Sequence, residues 1–153
     1  LIAERCRRLL PGVWAGLLLC VALIAAPAPF AILSSADAGR VVARIFAQEA
    51  WLSLGMAALL LLLGRRSKRG DFASGKRGLN FDEWLILGSV ACTALGYFGV
   101  QALLPAARAG QGTLSFGQLH LLSVALFALK AALVLVLAWR AGAPLQAVNR
   151  PSS

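Results

Sequence analysis

Four long apolar runs, separated by stretches that carry nearly all the charge, set the pattern of this chain. The first covers roughly Leu9 to Leu33, the second roughly Ile45 to Leu63, the third roughly Trp84 to Leu104 and the fourth roughly Leu119 to Trp139. A helix needs about 20 such residues to cross hydrocarbon about 30 Å thick. Unpaired backbone groups are costly in lipid, so these runs predict helices. None shows the strict alternation of a barrel strand. The expectation is all-α: an integral membrane four-helix bundle in which residues 1–153 form a single four-span domain.

Local signals sharpen the boundaries. Asn80-Phe81-Asp82-Glu83 and Ser115-Phe116-Gly117-Gln118 each place a capping residue three positions before Glu or Gln, and so predict starts for the third and fourth helices. Pro11 lies near the start of the first run, Pro27 and Pro29 near its end, and Pro105 is expected to close the third. Trp14, Trp51, Trp84 and Trp139 are expected near helix ends, where indole rings favour the membrane interface. Val42, Ile45, Phe46 and Glu49 share a face that extends the second run backwards. A helix from about Asp37 to Leu63 would be roughly 40 Å long, so its first turns should protrude or lie along the surface.

Composition agrees with a membrane solvent. The chain is 59% hydrophobic and 14% charged, too little polar surface for a soluble domain of this size. The net charge of +9 would point a soluble protein towards nucleic acid. Here the basic residues flank apolar runs, which favours anionic lipid and topology signals and argues against nucleic acid. Eleven Lys and Arg fall on one side, in the N-terminal tail, the middle loop from Arg65 to Arg77 and the C-terminal tail. Three fall on the other: Arg40, Arg44 and Arg108. The positive-inside rule then puts both termini and the middle loop in the cytoplasm, with that loop against anionic lipid. Arg5-Cys6-Arg7-Arg8 followed by an apolar run loosely imitates a cleavable signal peptide, but the prolines around the would-be cleavage site argue against it. The chain opens on Leu1, so its start is expected to be non-standard or trimmed.

Polar residues inside the runs are the candidate chemistry. An ionisable group in a span costs about 2.5–3.5 kcal/mol on insertion scales. Lys130 lies near the middle of the fourth run, Glu49 about a turn inside the second, and His120 opens the fourth. His120, Ser123, Phe127, Lys130 and Val134 follow three-four spacing, as do Thr93, Tyr97 and Gln101 on the third run and Glu49 and Ser53 on the second. If these faces converge, Glu49, Tyr97, Gln101, His120 and Ser123 form a polar pocket with Lys130 as its floor. Glu49 is the named partner of Lys130, although helix rise counted from the run starts separates them by roughly 10 Å in depth. The plainer alternative is that Lys130 snorkels to the headgroups and the others hydrogen-bond between helices.

The remaining inventory predicts little chemistry. Cys6, Cys20 and Cys92 have no metal or redox spacing. One His and one Met, Met56, make a poor ligand set for haem or copper, so no cofactor and no metal is expected. No nucleophile has a base partner, so the chain is not expected to be an enzyme. Gly88, Cys92 and Gly96 repeat every four residues, a spacing that lets helices approach within one chain or between two.

Several segments resemble one bacterial family: Trp14-Ala15-Gly16, Ala26-Pro27, Phe30, Ala38-Gly39-Arg40 and Phe46 in the first half, and Leu95-Gly96-Tyr97, Ala107-Arg108-Ala109-Gly110-Gln111-Gly112 and Ser115-Phe116-Gly117-Gln118-Leu119-His120 in the second. The family is domain of unknown function 4149, which is similar to transmembrane protein 205. The resemblance implies a four-span protein of the bacterial inner membrane and brings no reaction, substrate or cofactor. Two functions compete. The first is a non-enzymatic protein that handles a small solute or ion or assists a transporter, as a homo-oligomer or with a membrane partner. The second is a structural or assembly factor with no ligand.

Overall fold

A computed structural model describes residues 2–67, 79–111 and 114–143. Among these residues every regular element is helical and no strand occurs. Four helical stretches, Glu4–Ala31, Ser35–Arg65, Phe81–Arg108 and Phe116–Gly142, are each long and apolar enough to cross a membrane. Most of the middle loop, residues 68–78, lies outside the described residues, and with it most of the segment expected to meet anionic lipid.

Helix α1, Ile2–Cys20, begins before the apolar run, and Pro11 sits buried inside it rather than at its start. Its continuation is not a plain α-helix. It widens into a π turn over Val21–Ala25, and a 3-10 turn, Ala28–Ala31, follows. Helix α2, Ser35–Ser67, is longer at its start than its apolar run, as expected. Ser34 opens it by accepting from the Asp37 amide at 3.2 Å while donating to the Asp37 carboxylate at 2.6 Å.

The third span is built in three pieces: α3 (Phe81–Thr93), a π segment (Ala94–Gln101) and α4 (Ala102–Arg108). Pro105 therefore does not close the span but lies inside α4. A proline lacks an N–H and crowds the carbonyl four residues back, here that of Gln101. Gln101 is the last residue of the π segment, and local π adjustment is one way such a freed group is accommodated. The stop comes later and by another device. Gly110 takes φ +72°, its amide donates to the Ala107 carbonyl at 3.2 Å, and the Gln111 amide reaches the Ala106 carbonyl at 2.9 Å.

Both predicted capping boxes are present. The Asn80 amide donates to Glu83 at 2.9 Å. At the start of α5, Phe116–Gly142, the Ser115 amide donates to Gln118 at 3.0 Å and the Gln118 amide to the Ser115 hydroxyl at 3.3 Å.

Helix α5 packs against α1 and the third span, and α2 packs against α1 and α3. All four spans contribute to one apolar core: Trp14 and Leu18, Ala57 and Leu60, Leu85 and Ile86, Val134 and Leu137. These positions lie early in α3 and late in α2 and α5, so the core fills the half of the bundle nearer the start of α3. The small-residue face of the third span is used inside the chain. A Cβ at Gly88 would lie 3.1 Å from Leu133, and one at Gly96 would lie 3.8 Å from Leu126. The partner numbers fall as the glycine numbers rise, so α5 and the third span run antiparallel.

The tryptophans do not form one belt. Trp84 and Trp139 are exposed at the shared end of α3 and α5, as expected. Trp51 is exposed at mid-helix, edge-on to Phe98, and Trp14 is 0% exposed in the core. The indole of Trp14 is buried because it has a polar partner inside the bundle, described below.

Replacing Gly88 by Leu should force α3 and α5 apart and lower thermal stability in detergent, by about 1–3 kcal/mol if it behaves as core overpacking. Gly16→Leu, where a new Cβ meets nothing within 4 Å, should leave stability nearly unchanged. Equal effects at the two sites would contradict the close approach of α3 and α5.

Candidate functional site

Lys130 and Glu49 meet. The Lys130 ammonium donates to both carboxylate oxygens of Glu49, at 2.8 and 2.7 Å, and both side chains are buried. The Ser53 hydroxyl, one turn along α2, also donates to Glu49. Ser53 in turn accepts from the Trp14 indole N–H at 2.9 Å. One chain of hydrogen bonds thus ties α1, α2 and α5 together. Phe127 covers the ammonium, its ring centre 4.7 Å from Nζ, and stands edge-on to Phe46 at 5.3 Å. Among the described residues no buried side-chain polar atom is left without a partner.

Counting from the apolar runs overstated the depth difference. Glu49 and Lys130 are each the fifteenth residue of their helices, which start at Ser35 and Phe116. Glu49–Lys130 and Phe46–Phe127 share one sequence offset, 81 residues, so α2 and α5 run in the same direction and in register. The second helix begins ten residues before Ile45, and those extra turns remove the apparent gap.

A cavity of about 30 Å³ lies beside the pair, lined by Tyr97, Gln101, Ser123, Cys92 and Thr93 as well as Glu49 and Lys130. Five of the six singled-out residues therefore line one space: Glu49, Tyr97, Gln101, Ser123 and Lys130. The sixth, His120, does not. It is exposed and stacks on Phe116, ring centres 5.9 Å apart. Ten residues at about 100° each turn His120 roughly 80° away from Lys130, and the buried stripe passes through Leu119 instead. The three-four chain of spacings accumulated that error one step at a time. Thr93, Tyr97 and Gln101 stay together over the same kind of distance because the π segment between them turns more slowly than an α-helix.

Trp14 and Cys92 belong to the site although the sequence reading placed neither there. Cys92 falls between Gly88 and Gly96 on the face that meets α5, and so supplies a small residue where the cavity and Lys130 lie. A signal for the pairing was present. Phe46-Ala47-Gln48-Glu49-Ala50-Trp51-Leu52 and Phe127-Ala128-Leu129-Lys130-Ala131-Ala132-Leu133 match at Phe, Ala, Ala and Leu, with Glu opposite Lys. Among the described residues no three His, Cys, Asp or Glu side chains gather as a metal site.

The geometry defines a four-helix bundle of membrane-crossing length with a closed ion pair at its centre. The chain belongs to the family described as Domain of unknown function (DUF4149), which matches residues 9–113. That segment holds Trp14, Glu49, Ser53, Tyr97 and Gln101 and ends before α5, so Lys130 and the Ser115–His120 motif lie beyond it. No curated protein and no solved structure matches the chain.

Lys130→Met should strand the Glu49 carboxylate and destabilise the protein by about 3–5 kcal/mol. Glu49→Gln in the same chain should recover part of that loss. A double-mutant cycle on thermal stability in detergent measures the coupling; a coupling of zero would mean that the pair does not hold the bundle.

Proposed function

We propose that this is a non-enzymatic, multi-pass protein of the bacterial inner membrane that handles a proton or small ion at the Glu49–Lys130 pair, for itself or for a partner transporter. Cavity size supports this reading. A space of about 30 Å³ has room for about two waters at roughly 10–15 Å³ each, so an organic solute does not fit. The named contents of the site are a carboxylate, an ammonium, a phenol, an amide and hydroxyls, all able to hold water or pass a proton. An ionisable pair inside a span is itself a pointer to ion or proton pathways.

The second reading, a structural or assembly factor with no ligand, is favoured by one specific observation. Each buried side-chain polar atom among the described residues already has a partner. A network so complete can serve as a clamp alone. Reconstitution separates the two. Vesicles containing the full-length chain should dissipate an imposed pH gradient, read by an entrapped pH dye, several-fold faster than empty vesicles. Glu49→Gln should remove the excess. Identical decay with and without protein, across sodium and potassium gradients as well, would leave the clamp as the function.

The orientation proposed is cytoplasmic for both termini, on the strength of eleven basic residues against three. The bilayer itself, and anionic lipid at the basic middle loop, are the proposed surroundings; a homo-oligomer would enlarge so small a unit, and nucleic acid has no place in this reading. In a cysteine-free background, an impermeant thiol reagent added outside should label Gln111→Cys and spare Ser74→Cys. The reverse pattern would invert the topology.

A further inference from the structure

The two sides of the Glu49–Lys130 pair differ in what they offer a mobile proton. Towards the starts of α2 and α5 lies the cavity of about 30 Å³, lined by the Tyr97 phenol, the Gln101 amide and the Ser123 hydroxyl. Each of these groups can both donate and accept a hydrogen bond. All three are half-buried, whereas Glu49, Cys92, Thr93 and Lys130 behind them are buried, so the space opens at Tyr97, Gln101 and Ser123. Towards the start of α3 the hydrogen-bond chain runs from Glu49 to Ser53 and ends on the Trp14 indole. An indole N–H donates and cannot accept, so it does not relay a proton. Trp14 itself is 0% exposed and belongs to an apolar cluster with Leu18, Ala57, Leu60 and Val134, whose side chains hold no polar atom to continue the chain.

The position that a metal cation would take on Glu49 is already filled. The Lys130 ammonium donates to both carboxylate oxygens, at 2.8 and 2.7 Å, and the Ser53 hydroxyl donates to one of them. A second cation beside that ammonium would be repelled. A cavity with room for about two waters also leaves little space for the cation's own ligands. A proton instead joins the carboxylate covalently and needs no ligands. We propose that the ion taken by this site is a proton, delivered to Glu49 through the cavity from the side on which α2 and α5 begin, with Trp14 as the seal against the other side. In the loading step a hydronium in the cavity gives its proton to a Glu49 oxygen. One O–H bond breaks, another forms and a water is left behind; Lys130 keeps its charge while its partner loses its own. Among the described residues, the titratable groups that neighbouring elements bring to Glu49 are Lys130 from α5 and Cys92 and Tyr97 from the third span. Helix α1 brings the indole of Trp14, which does not titrate. Onward passage requires Trp14 to leave Ser53. The choice of proton rests on the ion-handling role proposed above, whereas the open and sealed sides do not.

Sidedness is read by thiol labelling in a cysteine-free background, in membrane vesicles of one orientation. An impermeant methanethiosulfonate added to the face that labels Gln111→Cys should modify Ser123→Cys several-fold faster than Ala57→Cys, which lies in the cluster around Trp14. A thiol in lipid stays protonated and does not react, so modification reports water. Ser123→Cys reacting only from the opposite face, or no faster than Ala57→Cys, would overturn the open side. The ion is read in reconstituted vesicles of phosphatidylethanolamine and phosphatidylglycerol. Glu49-dependent flux is expected under an imposed pH gradient and not under sodium or potassium gradients at equal pH. Glu49-dependent flux of either metal would overturn the proton while ion handling stands; no Glu49-dependent flux of any ion would overturn that role as well. Trp14→Phe keeps a ring in the core and removes the N–H that holds Ser53. It should raise proton flux several-fold, and adding Glu49→Gln should abolish the rise. Flux unchanged in Trp14→Phe, or raised equally with Glu49→Gln present, would overturn the seal.

Discussion

A carboxylate and an ammonium buried inside an apolar bundle have to find each other, and most of this architecture can be read from the meeting of Glu49 with Lys130. Either charge alone costs several kcal/mol in a low-dielectric interior, and the cost is offset only by good geometry and full hydrogen bonding. That requirement sets the register. Phe46 faces Phe127 and Glu49 faces Lys130 at one offset of 81 residues, and the starts of α2 and α5 differ by the same amount. Shifting either helix by one turn, about 5.4 Å, would strand both charges. The capping serines that begin the two helices, Ser34 and Ser115, are therefore part of how the pair is aligned.

The pair also divides the bundle. Towards the start of α3 the interior is an apolar cluster that includes Trp14, Leu18, Leu60, Ile86, Val134 and Leu137. Towards the start of α5 the interior holds the small polar cavity, and there the third span is a π segment rather than an α-helix. The two facts are connected. A widened turn re-aims side chains, and here it keeps Thr93, Tyr97 and Gln101 on the cavity over two turns. Gly88 and Gly96 bring the third span close to α5 on either side of Cys92.

The apolar runs were legible because a bilayer demands length and composition above all, and the caps at Asn80 and Ser115 were legible because three-residue reciprocity is local. Positions depending on helix rotation or tertiary partners were not. His120 failed because small angular steps add up along a helix. Pro105 misled because a proline ends a helix only where no neighbouring turn can absorb its missing donor. Trp14 looked like an interface residue until Ser53 supplied a partner for its indole. The partner of Lys130 was named correctly, but its depth was misjudged, since the apolar run concealed ten further residues of α2.

Synthesis order gives the Trp14–Ser53–Glu49 chain a meaning in time. Lys130 is made 81 residues after Glu49, a delay of roughly 4–16 s at translation rates of about 5–20 residues per second. During that interval α2 has already left the ribosome with its carboxylate and without its counter-ion. Ser53 on the same helix and Trp14 on the preceding one are already made. The nascent protein thus carries, ahead of the lysine, the hydroxyl and the indole that hold the waiting acid in place, and α5 arrives last as the piece that completes a prepared socket.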